Sequence, residues 1–526
     1  MLGLEMVVLL GVALVLCGSL ARRYPIAPAI LLVIAGALIG LVPRLQHAQL
    51  PPEVVLLLFL PALLYWESLT TSLREIRNNL RVVVLTSTVL VVATAAAVAA
   101  AAHAFGLEWG PAWVLGAALA PTDATAVGVL ARDLPRRTVT VLRAESLVND
   151  GTALVLYGLA VGVTVGEQHL TGWHVTWLLV LAYGGGVLAG GLIGLVSWQV
   201  RRRMDDPMLE SIAMLVTPFA AFLLADTIHA SGVLAVVSCG LFMSQVTPRI
   251  TAAATRQVVI PFWALSTTVL SSALFVLVGL SAQSALRDLT STSLLRALAD
   301  TLVVTAVVIG VRWAWTYTTP YLIRLVDRRP AQRLRRIGAR QRMVSAVTGF
   351  RGAVSLAAVL AVPHTLDSGA PFPDRDLIVL ITCGVIVLTL LQALLLPAVV
   401  RFARLPVDNS VAEEIHLAEV FTLDEAIDAI DETAAELGSG EMVVERVRHE
   451  LGKQRRLLAA AGSEGDPVVQ HDDQYTSLVL ALIARRREAL LELRDEQRID
   501  DIVLRRVQAG LDVEEVRISR SNPLVE

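Results

Sequence analysis

The chain has 526 residues, 55% of them hydrophobic and 17% charged, with a formal net charge of −3. An ordinary soluble protein carries about 25% charged residues. The repeated apolar runs here exceed what a soluble core needs and match the roughly 20 residues that cross a bilayer. The net charge decides little because the charges are segregated along the chain.

Apolar spans lie near 4–20, 26–42, 52–66, 82–104, 112–131, 145–166 and 176–198, then 211–226, 231–246, 257–281, 300–323, 343–363 and 377–400. This predicts about thirteen membrane crossings. The first span has no basic stretch ahead of it, contains Glu5, and is followed by Arg22-Arg23, the reverse of a secretory signal. The pair of spans split at Asp226-Thr227-Ile228-His229 is the least distinct.

Arginines test the count independently. Alternate loops carry Arg22 and Arg23, then Arg74, Arg77 and Arg81, then Arg132, Arg136 and Arg137, then Arg201 to Arg203, then Arg249 and Arg256, then the run Arg324 to Arg342. The intervening loops hold only Arg44, Arg287, Arg296 and Arg375. Cytoplasmic loops retain basic residues, so the expected topology is an external N-terminus, an odd number of spans and a cytoplasmic C-terminus.

Beyond Leu405 the composition turns to Glu, Asp and Arg, with helical periodicity in Leu423–Leu437, Met442–Ala460 and Tyr475–Leu511. Thr422-Leu423-Asp424-Glu425 reads as a capping-box start, and Gly438-Ser439-Gly440 and Gly462–Pro467 read as breaks. The expected organisation is a membrane domain, 1–405, and a helical cytoplasmic tail, 406–526, without a nucleotide, zinc or nucleic-acid motif. Cys17, Cys239 and Cys383 fall inside apolar spans and offer no disulfide or metal spacing.

The chemistry gathers at Glu145-Ser146-Leu147-Val148-Asn149-Asp150, at the head of a long apolar run. A carboxylate at the bilayer centre costs roughly 2.5–3.5 kcal/mol on insertion scales, so it marks function. On a helix, Glu145 and Asn149 lie about 40° apart, as do Ser146 and Asp150. A dehydrated alkali cation needs several oxygen ligands, of which Ser146 and Asp150 supply two. Asp150 can also hold a proton, and a site that takes a proton or a cation, never both, is the minimal chemistry of exchange. Glu145 and Ser146 also suit simple helix capping; Asp150 lies more than a turn inside.

Pro121 and Thr122 interrupt the fifth span beside Asp123. Broken helices free backbone carbonyls for a cation, and a half-helix N-terminus tolerates a carboxylate. Gly349-Phe350-Arg351-Gly352-Ala353-Val354-Ser355 sits in the twelfth span, where an arginine needs an acidic partner; Glu145 is the expected one. Glu67, closing the third span, is either a ligand or an interfacial acid. Arg312, inside the eleventh span, also requires an acid that the sequence does not identify. His47, His103, His169, His174, His229 and His364 fall in or beside external segments and read as loop residues rather than pH sensors.

Together Pro121-Thr122-Asp123, Glu145 to Asp150, Gly349-Phe350-Arg351-Gly352 and, more weakly, Leu60-Pro61-Ala62-Leu63-Leu64 with Glu67 resemble the monovalent cation:proton antiporter-1 family, the NhaP-like Na⁺/H⁺ exchangers. The likeness covers the membrane region in order and extends to the tail near Arg485–Arg498. It implies an all-α, inverted-repeat fold whose fifth and twelfth helices are unwound and cross near the site, working as a homodimer by elevator-like alternating access. It implies that Asp150 is the exchanged-ion carboxylate, with Ser146, Asp123 and Thr122 around the ion and Glu67 as an additional ligand. It further implies that Asn149 organises the site and that Glu145 and Arg351 form a structural ion pair. Members with Asn-Asp are associated with electroneutral exchange, and the absence of lysine from the spans agrees, Lys453 being the only lysine. Ala124-Thr125 and Arg143 depart from the family pattern.

The expected protein is therefore no enzyme. It is a multi-pass plasma-membrane antiporter of Na⁺ (or K⁺ or Li⁺) and H⁺ that needs no cofactor beyond the transported ions. Its partners are the cation, the proton, the bilayer and a second copy of the chain, with no nucleic acid. A cation channel fits less well, because filters are built from repeated rings. A membrane sensor fits less well, because the tail has no signalling motif.

Overall fold

The structure is a computed structural model that describes residues 2–24, 27–42, 55–123, 134–166, 177–288, 294–326, 338–405, 408–460 and 467–520. Ala124, Thr125, Arg44, Arg132, His47, His169, His174 and the break at Gly462 lie outside the described residues. Contacts divide the chain into two compact units, Met1–Val407 and Asp408–Glu526.

The first unit is helical; among its described residues the extended backbone pairs only in an isolated bridge between Thr365 and Pro371. Nine helices among the described residues are long and apolar enough to cross a bilayer: Leu4–Arg23, Leu80–Ala104, Arg136–Val165, Trp177–Arg201, Pro207–Thr227, Gly232–Ile250, Ala253–Arg287, Leu294–Tyr321 and Arg375–Ala403. Pro28–Ile39 and Leu57–Thr70 are shorter apolar helices. The fifth expected span begins as the helix Trp109–Leu119. The twelfth consists of two pieces, Ala339–Val347 and Ala353–Leu360, separated by non-helical backbone.

Small residues let these helices approach at backbone distance, the mode of packing that lipid favours because apolar burial alone does not drive helices together there. Gly36 and Gly279 do so reciprocally: a Cβ on Gly36 would stand 2.0 Å from the Val276 carbonyl oxygen, and one on Gly279 would stand 2.0 Å from that of Val33. Outward faces carry exposed Val7, Val8, Leu188, Leu192 and Leu265, as lipid-facing surfaces do.

The basic loop series hides a structural role. Arg201 is buried; its guanidinium donates to Glu210 at 3.0 Å and to Thr251 at 2.7 Å, while Thr255 donates to the other Glu210 oxygen at 2.7 Å. Helices Trp177–Arg201, Pro207–Thr227 and Ala253–Asp288 are joined through one carboxylate. The reading of Arg201 as a simple loop arginine thus misses its partner.

The second unit comprises helices Ser410–Asp428, Ile430–Leu437, Glu441–Ala460, Pro467–Asp495 and Asp501–Arg520. The capping-box reading of Thr422 fails: the residue lies inside the first of these helices, and its hydroxyl donates back to the Ala418 carbonyl at 2.8 Å. Apolar periodicity continued upstream of the presumed cap, so helix formation outweighed the local signal. Gly438 does end a helix in the left-handed conformation, φ 65°, which glycine adopts without a Cβ penalty. The expected continuous helix through Tyr475–Leu511 is broken where Asp500 accepts from the Ile502 and Val503 amides, both at 2.8 Å. The two final helices share a core of Ile483, Leu490, Leu504, Leu511 and Ile518. Arg486 meets Glu514 at 2.8 Å, and Arg487 pairs with Asp512 and Glu515.

Candidate functional site

The helix Arg136–Val165 runs through nine residues before it reaches Glu145, so this acid is not at the helix entrance. Glu145, Ser146, Asn149 and Asp150 are all buried, at 5%, 3%, 1% and 5% exposure. The two stripes expected from helical spacing serve two neighbouring pockets. Ser146 and Asp150 line a pocket together with Glu67, Thr122, Asp123 and Ser355. Leu60, Leu64 and Phe275 supply its apolar wall. Glu145 and Asn149 line a smaller pocket with Arg312, Arg351 and Thr86. Thr122 borders both pockets. Its hydroxyl accepts from the Asn149 amide at 2.7 Å, which makes Asn149 a brace behind the first pocket rather than part of its lining.

The backbone that follows the helix Trp109–Leu119 is bonded to the break between Ala339–Val347 and Ala353–Leu360. The Asp123 amide donates to the Phe350 carbonyl at 2.8 Å, and the Asp123 carboxylate accepts from the Ala353 amide at 3.1 Å. Asp123, just beyond the end of the helix Trp109–Leu119, thus caps the half-helix that follows the break in the twelfth span. Negative charge suits a helix N-terminus, where amides lack partners within the helix. The approach needs Gly352, because a Cβ there would lie 1.9 Å from the Asp123 Oδ2. Arg351 works at the opposite kind of terminus. Its Nε donates to the Leu119 carbonyl at 3.1 Å, and its Nη1 donates to the Gly349 carbonyl. Leu119 is the last residue of its helix, so a cation sits where carbonyls are unsatisfied.

The expected Glu145–Arg351 ion pair is corrected by this geometry. Glu145 pairs with Arg312, Oε1 to Nη1 at 2.6 Å, with both side chains about nineteen-twentieths buried (5% and 6% exposed). Arg312 is further held by the Ser345 carbonyl at 3.1 Å. Arg351, though it lines the same small pocket, spends its donors on carbonyls that a helix end and the twelfth-span break set free. Arg312 needed an acid and Arg351 had an alternative, so the acid went to Arg312.

Of the residues singled out in sequence, Asp150, Asp123, Ser146, Thr122 and Glu67 therefore share one pocket, and Asn149, Glu145 and Arg351 share the other. Ser355 closes the Gly349–Ser355 stretch singled out in the sequence, but no site role was expected of it. It stands three residues after Gly352, and a small hydroxyl in an apolar helix gives no signal of a ligand in the sequence. Arg143 is exposed.

A family model described as "Sodium/hydrogen exchanger, transmembrane" matches residues 10–402. The chain belongs to the sodium/hydrogen exchanger family. An uncharacterised Na⁺/H⁺ exchanger of Mycobacterium tuberculosis is 44% identical over 521 residues, covering 98% of this chain and 96% of the relative. A sodium, potassium, lithium and rubidium/H⁺ antiporter of Bacillus pumilus is 28% identical over 408 residues, covering 74% of this chain and 60% of the relative. Among solved structures, the sodium proton antiporter MjNhaP1 from Methanocaldococcus jannaschii superposes with a TM-score of 0.57 at 18% identity, over 77% of this chain and 99% of the other. The exchanger is thus a multi-pass, all-helical membrane protein with an NhaP1-like fold, and its relatives are transporters rather than enzymes.

Proposed function

We propose that this exchanger moves a monovalent cation, Na⁺ foremost, against H⁺ by alternating access, with cation and proton competing for Asp150. The observation that carries the reading is the single pocket in which Asp150 and Ser146 meet Glu67, Asp123 and Thr122 beside the break in the twelfth span. Apolar walls limit the water available to an entering ion, so protein oxygens replace its hydration shell. Asp123 is tied to the Ala353 amide, and Thr122 is braced by Asn149. Asp150 is thereby the carboxylate best placed to exchange its charge partner. Glu67 completes the ion's surroundings.

One carboxylate neutralised in turn by one proton or one monovalent cation gives electroneutral exchange, in keeping with Asn149 and the absence of lysine from the spans. Residues 1–405 carry the exchange, and 406–526 form a cytoplasmic tail. The chain works as a homodimer in the plasma membrane, with its N-terminus outside and its C-terminus inside. The Bacillus pumilus relative, named for four alkali cations, supports K⁺ as a second substrate.

Proteoliposomes test the proposal. Na⁺, K⁺ and Li⁺ are applied in turn to acid-loaded vesicles with the membrane potential free or clamped. The expected result is cation-driven alkalinisation at a rate independent of the clamp, strongest with Na⁺. Cation movement without proton movement would overturn the antiport reading, and a rate that follows the potential would overturn electroneutrality.

A further inference from the structure

Ser355 is 1% exposed, lines the Asp150 pocket, and its Oγ has no hydrogen-bond partner among the described residues. Serine inside a helix ordinarily donates to the carbonyl four residues back. Ser68 does so to Leu64 at 2.6 Å, and Ser271, on the same pocket, does so to Thr267 at 2.7 Å. The residue four before Ser355 is Arg351, which lies in the non-helical break before the helix begins at Ala353. The break in the twelfth span therefore also removes this serine's ordinary acceptor. The other orphaned buried hydroxyls among the described residues, on Tyr65, Tyr157, Thr319 and Thr382, do not line this pocket. A buried hydroxyl without a partner is unfavourable, and persists most readily where something else is to be bound.

We propose that the Ser355 hydroxyl is a cation ligand supplied by the half-helix Ala353–Leu360, and that it helps set which alkali cation the site prefers. The inference rests on the exchange reading above. Thr122 already accepts from Asn149, and Asp123 from Ala353, so Ser355 offers lone pairs that no other described group uses. A ligand on the half-helix also ties ion occupancy to the segment that Asp123 caps, so that binding draws the twelfth-span break and the Asp150 helix around one ion.

The test compares apparent Na⁺, K⁺ and Li⁺ affinities of native, Ser355→Ala and Ser355→Thr proteins in the same proteoliposomes. Ser355→Ala is expected to weaken Na⁺ affinity about tenfold, the loss of one ligand to a charged group. It should also change the Na⁺-to-K⁺ preference. Ser355→Thr, which keeps the hydroxyl, is expected to remain near native. If the alanine protein does not accumulate, Ser355→Cys replaces the hard oxygen with a soft sulfur at similar size and is expected to show the same loss. Unchanged affinity and preference in Ser355→Ala, or in Ser355→Cys where that variant is the one measured, would overturn the proposal, as would a loss of maximal rate alone. Native protein that exchanges normally beside an unaltered variant refutes only the role of Ser355; native protein that does not exchange refutes the exchange reading with it.

Discussion

Removing the Arg312 guanidinium should damage this protein through Glu145. The pair is nearly fully buried and meets at 2.6 Å, and the Ser345 carbonyl is the other recorded acceptor of the guanidinium. Arg312→Leu leaves a carboxylate in a small pocket with its direct partner gone. Breaking a buried pair from one side costs about 3–5 kcal/mol. Arg351→Leu removes no direct partner of Glu145; it strips donors from the Leu119 and Gly349 carbonyls, each worth about 0.5–3 kcal/mol. A double-mutant cycle separates the two cases: Glu145→Gln combined with Arg312→Leu should cost less than the sum of the singles by about 2 kcal/mol or more. Glu145→Gln combined with Arg351→Leu should be much closer to additive. Thermal stability of detergent-purified protein, read as the monodisperse fraction surviving a heating series, ranks the variants. Equal coupling of Glu145 to both arginines would refute the assignment, as would an Arg312→Leu protein that melts like the native one.

Gly352→Ala places a methyl group against the Asp123 carboxylate; exchange in vesicles should fall at least about tenfold, since even small misplacement of site groups costs this much. Glu210→Gln, which weakens the buried junction of Arg201, Thr251 and Thr255, should lower thermal stability by about 1–3 kcal/mol while leaving cation preference unchanged in vesicle assays. Proton and cation competition has a definite sign: acidification on the side that presents the cation should raise its apparent KM, up to about tenfold per pH unit, without lowering the rate at saturating cation. A KM that stays flat from pH 6 to 9 would mean that the two ions do not share a site.

Much of the membrane unit was legible because bilayer thickness imposes long apolar runs and because charge there is costly. The same costs drew attention to Asp150, Asp123, Arg351 and Arg312 as residues that required a reason to exist. Pairing was not legible. Glu145 could have met either arginine, and the outcome depends on how the helices Arg136–Val165 and Leu294–Val326 are rotated, which periodicity does not fix to within one side chain. The sorting of Ser146 and Asp150 from Glu145 and Asn149 was implicit in helical spacing, whereas the two pockets that receive them depend on tertiary packing. The role of Ser355 was invisible for a different reason: its importance lies in a missing acceptor, and that absence arises only from where the twelfth segment breaks. In the tail, Thr422 misled because a local capping pattern lay inside a longer amphipathic helix.

The most direct test of the shared site is the number of protons released when a cation binds. Purified protein is titrated with Na⁺ by calorimetry in buffers of different ionisation enthalpy, alongside Asp150→Asn. About one proton released per Na⁺ bound by the native protein, with no release and no binding by the variant, is the result expected of one carboxylate serving both ions. Na⁺ binding without proton release, or release that survives Asp150→Asn, would contradict it.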